Sequence, residues 1–169
     1  MLLAKNNNLE RDEHKKKCHR LIYSDRARLI ISMIIRTYLN LGSRVFMPRF
    51  SCHDGYSDQF SNLFFYEIDD RFRPVLDGPL CKNDLVIFVN YFGFDCCYDS
   101  DFFRCARAVE AHILFDNSHS YLQHKKVCAN LLATEASICS YIKSLPMPFG
   151  AEIRMGSSFI SSKSDAKIL

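Results

Sequence analysis

Tryptophan is absent from this 169-residue chain, and glycine (6) and proline (5) are scarce. That scarcity argues against a collagen-like fibre or a low-complexity linker protein. No internal repeat is visible, which excludes a solenoid. The longest apolar run, Leu29 to Ile35, is too short to span a bilayer and is closed by Arg28 and Arg36. Charge of one sign is not in excess: 22 Lys and Arg face 19 Asp and Glu, a net of +3. That balance makes no case for a nucleic-acid partner. The eight cysteines include no C-x-x-C pair, and Met1 to Asn8 lacks the apolar stretch of a secretory signal. The chain therefore reads as cytoplasmic, with reduced thiols.

What the sequence does hold is a globular composition: 48% hydrophobic, 24% charged, and an aromatic supply of 14 Phe and 8 Tyr. The length suits about one domain. Residues 1–21 read as a polar N-terminal arm around Lys15-Lys16-Lys17. Ser24 then reads as a helix N-cap, followed by apolar residues at Leu29, Ile30, Met33, Ile34, Tyr38 and Leu41, with Gly42 as the stop. Val45-Phe46-Met47 and Leu63 to Ile68 read as strands, separated by a short helix over 52–61. Asp69-Asp70 and Arg73-Pro74 read as a turn. Leu85 to Val89 is a continuous apolar run, as expected of a strand covered on both faces. A helix over 99–110 and strands over 112–116, 136–141 and 151–155 complete the pattern, and residues 156–169 read as a flexible tail. Strands alternating with helices predict an α/β domain with a mainly parallel sheet flanked by helices.

Open α/β sheets bind ligands beyond the carboxyl ends of their strands. Three polar clusters fall at such ends: Asn90-Tyr91 with Gly93, Asp116-Asn117-Ser118-His119, and Ser140-Tyr141-Ile142-Lys143. A carboxylate, an imidazole and a lysine along one sheet edge suit cofactor chemistry. Other chemistries find less support. Cys18-His19, Cys52-His53 and Cys96-Cys97 are adjacent pairs, not the spaced ligands of structural zinc, so no metal is expected. Ser118-His119 has no G-x-S-x-G elbow, and no G-x-G-x-x-G is present.

Five stretches, in order, resemble fold-type I pyridoxal-phosphate (PLP) enzymes, most closely the DegT-type sugar aminotransferases. Ser24-Asp25-Arg26-Ala27 resembles the Ser-Gly-Arg-x-Ala entry to their first large-domain helix. Residues 42–52, from Gly42-Ser43-Arg44-Val45 to Ser51-Cys52, resemble the G-x-x-V-x-x-P-x-Y-T-C strand. Val89-Asn90-Tyr91-Phe92-Gly93 resembles V-x-Y-F-G, and Phe115 to Ser120 the E-D-x-A-H-S/A strand end. Ser140 to Gly150 is similar to S-F-R-K-x-L-P-x-P-x-G.

This resemblance implies a large-domain core over 22–155. Lys143 would form the imine with the PLP aldehyde, a task that needs a primary amine. Asp116 would pair with the pyridine nitrogen, and His119 would lie beside the ring or its hydroxyl. Ser140 and the start of the helix after Ser24 would hold the phosphate. Tyr91 or Phe50 would take the ring-stacking place where Cys52 stands. The implied partners are an amino-group donor, a nucleotide-sugar acceptor and a second copy of the chain, with no nucleic acid and no membrane. Asp25 in place of glycine, Ile142 in place of arginine and Phe149 depart from the family pattern. Family members also continue into a smaller C-terminal domain. The alternative expectation is a truncated, inactive relative that serves as a binding or interaction module.

Overall fold

Leu85–Val89 does become a strand buried along most of its length: Leu85 and Val86 are 0% exposed, Ile87 and Phe88 2%. It is β5 in a computed structural model that describes residues 20–51, 61–93 and 101–160. The other strands are β1 (Arg20–Ser24), β2 (Val45–Pro48), β3 (Leu63–Ile68), β4 (Pro74–Val75), β6 (His112–Asp116), β7 (Glu135–Ser140) and β8 (Ala151–Met155). The helices are α1 (Ala27–Asn40), α2 (Asp101–Ala108), α3 (Tyr121–Cys128) and the single turn α4 (Tyr141–Ser144).

Among the described residues the strands form one sheet in the order β1-β8-β7-β6-β5-β2-β3-β4. Strands β3, β2, β5, β6 and β7 run parallel, while β8 is antiparallel to β7 and to β1, and β4 to β3. From β2 the chain steps outward to β3. It then returns to the other side of β2 and proceeds through β5, β6 and β7. The strand order thus reverses between β2 and β5, the kind of switch point at which open sheets bind ligands.

Side chains alternate across the strands. Val45, Met47, Leu85, Ile87, Leu114, Ile138 and Ile153 meet α1 through Ile30, Ile34 and Ile35. The opposite faces of the same strands present Phe88, Ile113 and Phe115 to α2 and α3 through Phe103, Ala106 and Val127. By the same alternation Asp116 and Ser140 lie on the α1 side, whereas Ser137 and Glu152 lie on the α3 side.

Several expectations need correction. Ser24 is not a helix cap: it is the last residue of edge strand β1, and Arg26 occupies the N-cap position. The buried side of α1 is rotated from the expected one, with Leu29 53% and Leu41 60% exposed while Ile31, Ile35 and Leu39 are buried. A helix this apolar offers periodicity no unique face. Strand β1 starts at Arg20, inside the expected arm. Residues 156–160 do not fray. A Cβ on Gly156 would stand 2.1 Å from the Leu132 carbonyl oxygen, so glycine lets the chain pass this backbone closely. Beyond it Phe159 (0% exposed) and Ile160 (5%) enter the α1-side core. The Tyr38 hydroxyl donates to the Phe159 carbonyl, and His112 Nδ1 lies 3.1 Å from that oxygen. The helix expected over 52–61 falls almost wholly outside the described residues, as does the part of the 99–110 helix before Asp101.

Candidate functional site

The strand register brings the candidate residues to one edge. Val89, Asp116 and Ile138 are aligned partners on β5, β6 and β7. Just beyond them the backbone interlocks: Asn90 N donates to the Asp116 carbonyl (3.0 Å) and Asn117 N to the Ile138 carbonyl (2.8 Å). Two strands along, Ser24 and Ser140 are both register partners of Ala151, so they flank it at the same height.

Asp116 is half-buried at the mouth of the sheet. Its Oδ1 accepts from the Ser118 amide (2.9 Å) and from the Ser118 hydroxyl. Ser118 is 5% exposed and holds the carboxylate in one rotamer. Neither bond uses Oδ2. His119 follows at the surface, and its Nε2 lies 2.9 Å from the Lys143 amine. Lys143 sits on α4, directly after β7. Partial burial pushes the His119 imidazole below its ordinary range, the Lys143 charge pushes it the same way, and Asp116 opposes them. The neutral ring can therefore accept a hydrogen bond from the lysine. The fold thus sets Lys143 against His119, 24 positions earlier in the sequence, with the Asp116 charge acting on the same imidazole.

The anion end lies beside them. The amino end of α1 emerges at this edge with no acidic residue in its first turn and no side-chain cap on Arg26. Its amides and dipole favour negative charge there. Asp25, exposed, spends its carbonyl on the Gly150 amide (2.8 Å), and Gly150 in turn accepts from the Tyr141 amide (2.8 Å). These bonds join the β1–α1 connection to the Ser140–Tyr141 corner.

Tyr91 stands at the β2–β5 switch point. Its hydroxyl donates to the Phe50 carbonyl, and its ring lies 5.6 Å from Phe50 and 5.5 Å from Phe72. What it can offer a ligand is the ring. Burial, and then the Asp116 charge, push the Tyr91 phenol well above the usual tyrosine range, so it stays protonated. Cys52, the other stacking candidate, lies outside the described residues, and Phe50 is 63% exposed.

Other polar residues of this region carry no family pattern in the sequence. Asn90 Nδ2 donates to Asn117 Oδ1 (2.9 Å), and Asn117 Nδ2 to Ser137 Oγ (2.9 Å). Ser137 Oγ meets His124 Nδ1 (2.9 Å), and His124 Nε2 meets Glu152 Oε1 (3.2 Å). Arg154 Nε (2.8 Å) and the Tyr141 hydroxyl also donate to Glu152. Glu and Arg alternate with apolar residues along β8, which reads as a solvent-facing side. Only the presence of α3 over that side shows otherwise.

No protein-family model and no curated protein matches this sequence. Solved structures do match. A NifS-like protein from Rickettsia africae has a TM-score of 0.65 at 12% identity, over 85% of this chain and 42% of its own. A sphingosine-1-phosphate lyase from Burkholderia pseudomallei gives 0.62 at 10%, over 94% and 42%. A DegT DnrJ EryC1 StrS aminotransferase from Brucella abortus gives 0.57 at 15%, over 94% and 46%. The chain spans less than half the length of each. At such identities the likeness is one of fold: this mixed, mostly parallel sheet flanked by helices is the fold of fold-type I PLP-dependent transferases, over the part of their length that the chain spans.

Proposed function

We propose that this chain is the large-domain core of a PLP-dependent aminotransferase-type protein, of the sugar-aminotransferase kind, with Lys143 as its cofactor lysine. The observation that carries this reading is the Lys143–His119 contact of 2.9 Å beside Asp116, at the edge where the sequence series resembles the DegT-type enzymes. The Brucella structure named as such an aminotransferase shares the fold.

The donor set fits PLP at three points. The amine of Lys143 suits the aldehyde, Oδ2 of Asp116 suits a protonated pyridine nitrogen, and the α1 amino end, at the edge where Ser24 and Ser140 flank Ala151, suits a phosphate. PLP, when bound, supplies an electron-withdrawing ring that takes up the electron pair left by a departing substrate proton. The remaining work belongs to the chain. Lys143 Nζ would hold the aldehyde end of the group, and the same amine would carry a proton. His119 Nε2, kept neutral, accepts a hydrogen bond from that amine and orients it. Ser118 aims the Asp116 carboxylate, whose charge would favour a proton on the ring nitrogen. Tyr91 presents an aromatic ring at the switch point. An amino-group donor, a nucleotide-sugar acceptor and a second copy of the chain belong to this proposal as partners.

The test is a visible absorbance spectrum of the protein with PLP, before and after borohydride, alongside Lys143→Ala. The expected result is a visible band that reduction fixes covalently and that the variant lacks. A folded protein that gives no band would leave the reading without support, and its role would be that of a cofactor-free binding module.

A further inference from the structure

We infer that Glu152 is a positioning residue for Lys143, acting through the Tyr141 hydroxyl, and that the His124–Ser137–Asn117 chain ties the same carboxylate to the shoulder of Asp116. This rests on the reading of Lys143 and Asp116 as the working pair, and goes beyond it by assigning what holds them in relation.

The turn that bears Lys143 cannot hold itself. Helix α4 is four residues long, its cap residue Ser140 makes no side-chain cap bond, and the chain leaves it extended at Leu145. A single turn fixes several backbone dihedrals for one hydrogen bond and is unstable alone. Its hold on the sheet is Tyr141. The Tyr141 amide donates to Gly150, its ring meets Tyr121 edge-on at 6.1 Å, and its hydroxyl donates to Glu152 Oε2. Gly150 has φ of 121°, and a Cβ there would stand 2.9 Å from the Tyr141 ring, so glycine is what allows the ring this place.

Glu152 is 3% exposed and gathers three donors, from Tyr141, Arg154 and His124. Buried ionic groups are weak contributors to net stability, because desolvation offsets their attraction, but they fix geometry. Counting hydrogens gives the direction of the chain. The Glu152 carboxylate only accepts, so the neutral His124 ring carries its hydrogen on Nε2, which leaves Nδ1 as an acceptor for the Ser137 hydroxyl, and Ser137 Oγ in turn accepts from Asn117. His124, Ser137, Asn117 and Asn90 are each 0% exposed. One side of Glu152 thus fixes the lysine turn, and the other reaches the residue next to Asp116, whose amide also bonds Ile138.

The experiment reads the position of Lys143 without cofactor. His119 reports it, because its Nε2 lies 2.9 Å from the lysine amine, whose charge adds to the depression that burial causes in that imidazole. The full chain and its Lys143→Ala, Tyr141→Phe and Glu152→Gln variants are titrated by NMR, following the His119 ring signals. Lys143→Ala is expected to move the His119 titration upward in pH. Tyr141→Phe, which removes a single hydroxyl, is expected to move it the same way, as the lysine leaves its contact. Glu152→Gln is expected to move it less, because its amide can still bond the phenol. Loss of stability alone would not shift the titration of the folded population. If Tyr141→Phe leaves His119 at its wild-type titration while Lys143→Ala shifts it, the positioning role is overturned and the lysine site stands. If Lys143→Ala shifts nothing either, the lysine–histidine pairing is wrong, and the site reading and the positioning role fall together.

Discussion

Beneath β7 and β8 the two faces of the sheet are built on different principles. On the α1 side the strands meet the helix through aliphatic residues, with Ile34, Val45, Leu85, Ile138 and Ile153 all fully buried. On the α3 side, beneath β7 and β8, the polar Ser137, His124 and Glu152 are buried beside Cys128 and Cys139, and α3 turns Gln123 and His124 inward while leaving Leu122 75% exposed. The first face gains from area removed from water and tolerates small shifts of shape. The second gains from directed bonds, each of which needs its partner in place. Stability can come from the first. The polar face lies under the corner that carries Lys143, where a fixed geometry is worth more than another few buried methylenes.

This contrast can be broken most sharply at Glu152. Glu152→Ala leaves the donors of His124, Tyr141 and Arg154 without their acceptor, and a buried donor left unsatisfied costs about 1–3 kcal/mol. Urea unfolding of the variant against wild type measures it. A loss well under 1 kcal/mol would show that water replaces the carboxylate and that the face is less closed than its burial indicates.

Acid titration does the same more gently, since a protonated carboxyl still accepts hydrogen bonds. Burial by itself pushes the Glu152 carboxyl up, but the hydrogen bonds from Tyr141, Arg154 and His124 outweigh it and hold the group at about 2. A carboxyl depressed below its ordinary 4.5 contributes stability above that pH, which is lost as pH falls toward 2. Burial lowers His124, against the pull of Glu152, so folding is also disfavoured as pH falls below 6.5, where the unfolded histidine gains a proton first. Burial lowers His112 on the α1 side too, adding to this upper step. The unfolding midpoint should therefore fall in two stages, with the lower one reduced in Glu152→Gln, where Asp69 and Glu110, held below their ordinary range by hydrogen bonds from Arg73 and Lys82, keep the remainder. A single stage shared by both proteins would remove the distinction between the faces.

The smallest effect belongs to the aliphatic side. Ile34→Val, at a residue 0% exposed, should cost about 0.5–1.5 kcal/mol by thermal or urea unfolding. It should leave the His119 titration where it is. A shift of that titration would mean that the aliphatic core also sets the lysine turn.

Much of the strand framework was legible because parallel strands announce themselves. The runs at 63–68 and 85–89 coincide with β3 and β5, and the run ending at Asp116 with β6. Strand β1 was hidden in a basic stretch because an edge strand needs only one covered face, and Ile22 alone turns inward while Leu21 and Tyr23 are exposed. Helix α3 was hidden because two of its four buried residues, Gln123 and His124, are polar while Leu122 faces out, which blurs the pattern on which helices are read.

The sequence by itself determined the alternation of strands and helices and the order of the motifs that end at Asp116, His119, Ser140 and Lys143, because these are local properties of apolar runs and strand ends. The tertiary structure decided which of those ends meet. Strand register set Ser24 beside Ser140 across Ala151, and the turn after β7 brought Lys143 to His119. It also decided that Glu152 is buried rather than exposed, because a strand's alternation says which residues share a side but not what covers it.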